Sequence, residues 1–305
     1  MSDVGYVVPG PAGAPQAPSV RGISPVTALG AEMFRHLALK EKGNVVISPL
    51  SIFVAVSMAT AGTTHGGQAH TELRSMLKHD VVGDEDEVHE WMKKMMLASR
   101  ASDPGVQLEV ANSLWAEKDV KADFINVCRT VFDAEAQPLA GKDPINKWVD
   151  TKTKGKIPSI LVEDPLGPSV LVNAVFFKGE WGSKFDEKAT EAGEFKGLGG
   201  AVPAMMMKKD DKKMLFKSSS TADIAQLPYG KTGRFGAIIA LPKAAGPQGM
   251  EAMISELFAG GTWEEHVGSM KPKHVILKMP RFKAEYGVKS LKSTMQELGV
   301  AAAFG

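Results

Sequence analysis

Cys128 is the only thiol in the chain, and its neighbours decide what it can do. It shares a helical spacing with Phe124, Val127, Val131 and Phe132, which puts it on an apolar face. A thiol among hydrocarbon stays protonated and inert, so it reads as core. A single cysteine also excludes an internal disulfide framework and any multi-cysteine metal site. His65 and His70 miss the i, i+4 spacing that sets two ligands on one helix face, and the glycines around them read as a loop carrying ordinary surface histidines. Gly197-Leu198-Gly199-Gly200 is followed by no helical pattern and no Lys-Ser/Thr pair, which makes it a turn rather than a phosphate cradle. Lys208, Lys209, Lys212 and Lys213 could attract a polyanion, but Asp210 and Asp211 interrupt them, and the segment reads as a solvated turn. Met205 to Met207 and the pair Met95-Met96 read as filling for core gaps. A nucleophile elbow, a zinc-binding HExxH, a P-loop and an EF-hand are all absent from the sequence. The residues themselves therefore assign no catalytic group, no cofactor and no metal, and they point away from an enzyme.

Bulk properties narrow the partners. Lys plus Arg (36) nearly cancel Asp plus Glu (35), so no global field favours nucleic acid or an anionic membrane. The most apolar stretch, Ile52 to Gly62, is too short to span a bilayer and contains Ser57 and Thr60. The first twenty residues contain neither Lys or Arg nor an apolar run, so they lack the parts of a secretory signal and an intracellular, cytoplasmic location is expected. With 305 residues, 44% of them hydrophobic, the chain can bury a large core.

The elements follow from spacing. Residues 1–22 are rich in Gly and Pro and read as a disordered arm, leaving residues 23–305 as the folded domain. Leu29, Met33, Phe34, Leu37 and Ala38 give a helix from Ser24 onward. Val45-Val46-Ile47 predicts a short buried strand. Ser48 then caps a helix with Pro49 at its first position, apolar on nearly every side to about Ala61 and ended by Gly62, so Ser51 and Ser57 are expected to be buried polar groups. The acidic run Asp84 to Glu87 opens a helix carrying Val88, Trp91, Met92, Met95 and Met96. Val106, Leu108 and Val110 alternate as a strand, and Asp143-Pro144 opens a helix with Ile145, Trp148 and Val149. Ser169 to Phe177 is apolar on both faces, as for a strand in the middle of a covered sheet, which makes Asn173 conspicuous. Phe235 to Leu241 and Val275 to Met279 read as strands, Met250 to Phe258 and Ser290 to Leu298 as helices. Early helices and later strands without βαβ spacing indicate an α+β fold.

In the same order, several of these segments resemble the serpins, a family of protease inhibitors. Asn44 to Ile52 resembles the lead into the family's helix B. Ala111-Asn112-Ser113-Leu114-Trp115 is similar to its next sheet strand, and Asn146 to Val149 with Thr153 to Ile157 to its helix F and exit. Leu171-Val172-Asn173-Ala174-Val175-Phe176-Phe177-Lys178-Gly179-Glu180-Trp181, then Phe185, is the most specific match, followed by Pro203 with Met205-Met206 and by Pro280-Arg281-Phe282 leading to Tyr286. The loop from Gly62 to Ala69 departs locally, being about two residues longer than the family pattern.

The resemblance implies the serpin fold, helices packed around large mixed β-sheets, and a suicide-substrate inhibitor of a serine or cysteine protease. It implies that Ser48, Ser51 and Asn173 form the polar cluster beneath the main sheet, the shutter, and that Lys178 and Trp181 lie near its top, the breach. The same residues would equally serve as a helix cap, a satisfied buried amide and core. Leu298-Gly299 to Ala303-Phe304-Gly305 resembles the segment just before the last insertion strand, so on that reading the C-terminal strands, the hinge and the reactive loop are missing. The reactive bond is then absent from this chain, and Ala301 to Ala303 are not the hinge, because Leu-Gly precedes and Phe-Gly follows them. A complete serpin is expected to be a monomer, and this chain alone to be aggregation-prone through an open sheet edge. A non-inhibitory serpin acting as chaperone, carrier or storage protein, an inactive truncated fragment, and an extracellular location like that of many serpins are the alternatives.

Overall fold

Ser24 and Pro25 start the described part of the chain, which comprises residues 24–41, 43–100, 103–198, 200–259, 262–284 and 289–304 of a computed structural model. The Gly/Pro-rich arm and Tyr286 lie outside the described residues. Helix α1 (Pro25–Lys40) buries Leu29, Met33 and Leu37. Helix α2 (Pro49–Ala61) starts as its sequence predicts, with Ser48 Oγ accepting the Ser51 N–H at 3.2 Å and Pro49 in the first turn. Helices α3 (Gln68–Met76), α4 (His79–Val82) and α5 (Glu85–Ser99) follow, the last opened by a reciprocal capping box between Asp84 and Glu87. Strand β1 (Val106–Ala116), helix α6 (Ala122–Phe132), strand β2 (Ala134–Pro138), helix α7 (Lys142–Lys152) and strand β3 (Ser169–Gly179) build the first sheet, in the order β2-β1-β3.

The second sheet has five strands. β4 (Glu191–Gly197), β5 (Gly200–Ser218), β6 (Ala222–Tyr229) and β7 (Phe235–Pro242) neighbour one another in that order, and β8 (Lys271–Pro280) pairs with β5. Helices α8 (Gly246–Phe258) and α9 (Thr262–Gly268) precede β8, and α10 (Lys292–Glu297) follows it. Among the described residues no helix is long and apolar enough to cross a membrane.

The β1–β3 ladder is covered on both faces. On one face Val110, Leu114 and Leu171 join a core built on Phe53, Val54 and Met58 of α2, Trp91 and Met92 of α5, and Cys128 and Phe132 of α6. On the other, Trp115, Val172 and Ala174 meet Ile145, Trp148 and Val149 of α7. Adjacent residues of one strand thus enter different cores, as the pleat requires. Cys128 is fully buried, and burial pushes its thiol up to about 12, so the core assignment holds.

Five expectations need correction. Val45-Val46-Ile47 joins no ladder among the described residues; it lines an apolar groove of about 460 Å³ with Gly30, Phe34, Phe258 and Trp263, so its apolar character reflects packing against helices. Lys208 to Lys213 is no turn but part of β5, with a bulge between Asp211 and Met214, and Lys209 is buried with Nζ donating to the Ser183 carbonyl and hydroxyl, both at 2.7 Å. Met205 is exposed rather than core. His70 is buried within α3, not on a surface loop. β3 pairs only with β1 among the described residues, because two apolar faces report helices above and below, not strands on either side.

His79 adds a pH dependence. It is 2% exposed, bonded to Ser57 Oγ at 3.3 Å and set edge-on against Phe53, and burial, reinforced by Arg74, His89 and His70, pulls it from the usual 6.5 to about 3. Folded protein therefore holds it neutral where the unfolded chain takes up a proton, so its contribution is intact above pH 6.5 and is lost as pH falls from 6.5 towards 3. Urea unfolding should show this one group removing about 2 kcal/mol between pH 7 and 5. His79→Gln should flatten the profile by that amount; an unchanged slope would exclude a neutral buried His79.

Candidate functional site

Asn173 sits in the middle of β3, directly opposite Asn112 of β1 in the antiparallel register. Both are on the α2 face of the ladder, the face shared by Leu114 and Leu171. Asn173 Nδ2 donates to Asn112 Oδ1 at 2.6 Å, and Asn112 Nδ2 donates to the Phe132 carbonyl, at the C-terminal end of α6, at 2.7 Å. Asn112 is 2% exposed, so both bonds are shielded from water. Asn173 Oδ1 is buried and accepts no hydrogen bond among the described residues. A two-link chain thus runs from the sheet to a helix end, with one acceptor unspent.

The serines of α2 sit apart from that chain. Ser48 Oγ serves its own helix as the cap, and Ser51 is half-buried in the first turn. Among the described residues neither hydroxyl bonds Asn173, although α2 packs beneath β3. The partner that sequence reasoning passed over is Asn112. It lies inside the quoted Ala111 to Trp115 segment, but nothing local distinguishes a bonded amide from a solvated one.

At the end of β3 the two sheets are stitched together. Trp181 forms an isolated bridge with Tyr229 and stacks on its ring at 4.5 Å between centroids, while Phe185 meets Trp181 edge-on at 6.0 Å. Gly179 lies under the same ring: a Cβ there would fall 2.7 Å from Tyr229 Cδ1, so only glycine fits without displacement. The Glu180 N–H donates to the Gly105 carbonyl at 2.7 Å and the Gly230 N–H to the Glu180 carbonyl at 2.9 Å. Asp103 closes the corner, accepting the Lys231 N–H at 2.9 Å and the Thr232 hydroxyl, contacts that hold its carboxyl below the usual range. Lys178, two residues before Glu180, is exposed. Tyr229 and Asp103 were invisible in the sequence because their partners lie far along the chain.

A serine and a histidine do lie within reach of each other, Ser57 and His79, but both are 2% exposed and the histidine is held neutral far below its usual range. That pair is structural. The arrangement around Asn173 and Trp181 offers hydrogen bonds and stacked rings that can be made or broken, not a nucleophile.

The serpin (serine protease inhibitor) family model matches residues 24–305. Iripin-3 of Ixodes ricinus is 30% identical over 293 residues, 91% of this chain and 72% of that protein. Antithrombin-III of Homo sapiens is 27% identical over 289 residues, 89% of this chain but 61% of that protein, so the chain spans about three-fifths of its length. Among solved structures, ovalbumin from emu (Dromaius novaehollandiae) superimposes with a TM-score of 0.82 at 22% identity, covering 90% of this chain and 77% of that one. The thermophilic serpin tengpin, in its latent state, gives 0.79 at 23% identity, covering 90% and 74%. The α+β architecture is that of these structures.

The asparagine chain makes an ordering prediction. Asn112→Ala strands both the Phe132 carbonyl and the Asn173 amide and should cost about 2–4 kcal/mol in urea unfolding. Asn173→Ala strands Asn112 Oδ1 alone and also removes the orphaned oxygen, and should cost about 1–2 kcal/mol. Equal costs would mean that the two amides are independent.

Proposed function

The chain belongs to the serpin family, and we propose that it acts as a serine protease inhibitor of the suicide-substrate, loop-insertion kind. The family, one of serine protease inhibitors, and these relatives support inhibition in general. The observation on this chain that best supports the reading is the amide pair inside the covered ladder: Asn173 Nδ2 donates to Asn112 Oδ1 and keeps a buried Oδ1 that accepts no hydrogen bond among the described residues. Polar groups held within a covered sheet can exchange partners when its strands rearrange. Serpin loop insertion is itself a standard instance of strand addition, and that mode comes here with the family rather than from this geometry.

In that mechanism the protease supplies the chemistry. Its serine Oγ attacks a carbonyl in the bait loop, the acyl bond forms, the peptide bond breaks and the amine departs with a proton. Insertion of the cleaved loop then deforms the protease before water can release the acyl group. The inhibitor contributes bait and stored conformational energy, and its useful residues are those that let the sheet accept a strand. Asn173, with Ser48 and Ser51 beneath, would act there, its unspent Oδ1 a ready acceptor as neighbours change. Trp181, locked on Tyr229, with exposed Lys178 close by in the chain, would act where insertion begins.

The complete product of the reading frame, incubated with trypsin-, chymotrypsin- and elastase-like proteases, should give an SDS-stable complex with at least one of them. Cleavage without a complex across the panel would overturn inhibition in favour of a carrier, chaperone or storage role. Asn173→Ala in the same protein should raise the stoichiometry of inhibition and speed polymerisation; unchanged values would remove Asn173 from the switch.

A further inference from the structure

Four of the seven histidines, His65, His70, His79 and His89, fall within a short stretch of sequence, and three of them gather around Glu85. Gly66, at φ +73°, turns the chain so that the His65 ring comes back over His70, 4.9 Å between centroids. His70 is 5% exposed in the first turn of α3, and its Nε2 stands 3.4 Å from Glu85 Oε2. Glu85 projects from the first turn of α5. Its other oxygen, Oε1, faces His89 Nε2 at 3.4 Å, a nitrogen that is buried and has no hydrogen-bond partner among the described residues.

We propose that His65, His70 and Glu85 bind a divalent transition-metal ion of zinc's class, with a fourth position left for water. The three ligand atoms already lie within 4.8 Å of one another. Tetrahedral zinc with bonds of about 2.0–2.1 Å spaces its ligands about 3.3 Å apart. The 3.4 Å between His70 and Glu85 matches that edge, so two ligands are preset and only the exposed His65 must close in. Two imidazoles and one carboxylate form a donor set suited to zinc and poor for calcium or magnesium, which take oxygen ligands.

Two neighbours must adjust. Arg74 Nη1 bonds Glu85 Oε2 at 2.8 Å, but the guanidinium keeps the Gly83 carbonyl at 2.6 Å and Asp80 at 3.4 Å when a cation displaces it. His70 Nδ1 accepts the Gly66 N–H in a long 3.4 Å contact. Metal on Nε2 replaces the proton there, which moves to Nδ1, and the Gly66 contact is given up. His89, behind Oε1, orients the carboxylate as an outer partner. Bound metal would clamp the α2–α3 loop and α3 onto α5, stabilising the folded state by mass action.

Calorimetric titration of the full chain with zinc chloride should give one saturable site. His65→Ala, an exposed change that leaves the fold intact, should weaken it at least about tenfold and abolish the zinc-induced rise in Tm. His274→Ala, on the second sheet, should leave both unchanged. Cobalt should give the visible absorption of a tetrahedral complex, lost in Glu85→Gln. Equal zinc affinity in the protein and in His65→Ala, or no saturable binding up to millimolar zinc, would overturn the site.

Discussion

The β1–β3 ladder must be buried on both faces, and the rest of the molecule is arranged to do it. Each large side chain moved from water into such an interface contributes roughly 1.5–3 kcal/mol. An exposed ion pair such as Lys154–Glu109 contributes about 0–1 kcal/mol. Coverage therefore outweighs charge. It explains why α2 is apolar on nearly all sides, since it carries β3 above it and α1, α3 and α6 around it. It also explains why α7 spends Ile145, Trp148 and Val149 on the opposite face.

Within that ladder, Asn112 and Asn173 cost desolvation and return specificity. They face each other in register, and a slip of β3 by one residue would send Asn173 to the α7 face and set Val172 or Ala174 opposite Asn112 on the α2 face. Polar groups that can be satisfied in only one register select it. The corner at Trp181 makes a second fixed point: stacking on Tyr229, the glycine beneath the ring and the Asp103 bonds define where β3 ends and the second sheet begins. Between those points β3 is covered on both faces and paired with β1.

Most helices were legible because a helix with one buried stripe writes that stripe at 3.6-residue spacing, as in Val88, Trp91, Met92, Met95 and Met96 of α5. The cap of α2, Ser48 with Pro49, was legible too, whereas the acidic run at the start of α5 was read for its charge and not for the capping box between Asp84 and Glu87. β5 was not, because much of it is exposed and its ladder bonds are backbone bonds, which leave no mark on side-chain type; Lys208, Asp210 and Lys212 point to water from a strand as readily as from a turn. β3 was read correctly as covered and misread as central, since side chains record faces while edges are recorded only in main-chain partners. His70 was misplaced on a surface loop for a related reason. A five-residue gap is wrong for two ligands on one helix, but Gly66 and Gly67 put His65 off the helix and fold it back.

These constraints meet at β3. A catalyst concentrates its function in reactive groups, and substitutions there abolish it. A protein whose partner performs the bond breaking must instead hold an energy difference between two arrangements of one sheet, and that difference is spread over many contacts. Groups whose partners are incomplete in one arrangement then matter more than groups of high intrinsic reactivity. If the chain inhibits as proposed, the residues that meet this criterion are Asn173, whose Oδ1 accepts no hydrogen bond among the described residues, and Trp181, stacked where the strand meets the second sheet. Cys128, the most reactive side chain by type, is buried deep enough to be silent. On the proposed function, what matters is the tension between covering a strand's faces with apolar groups and keeping within them polar groups whose bonds can change.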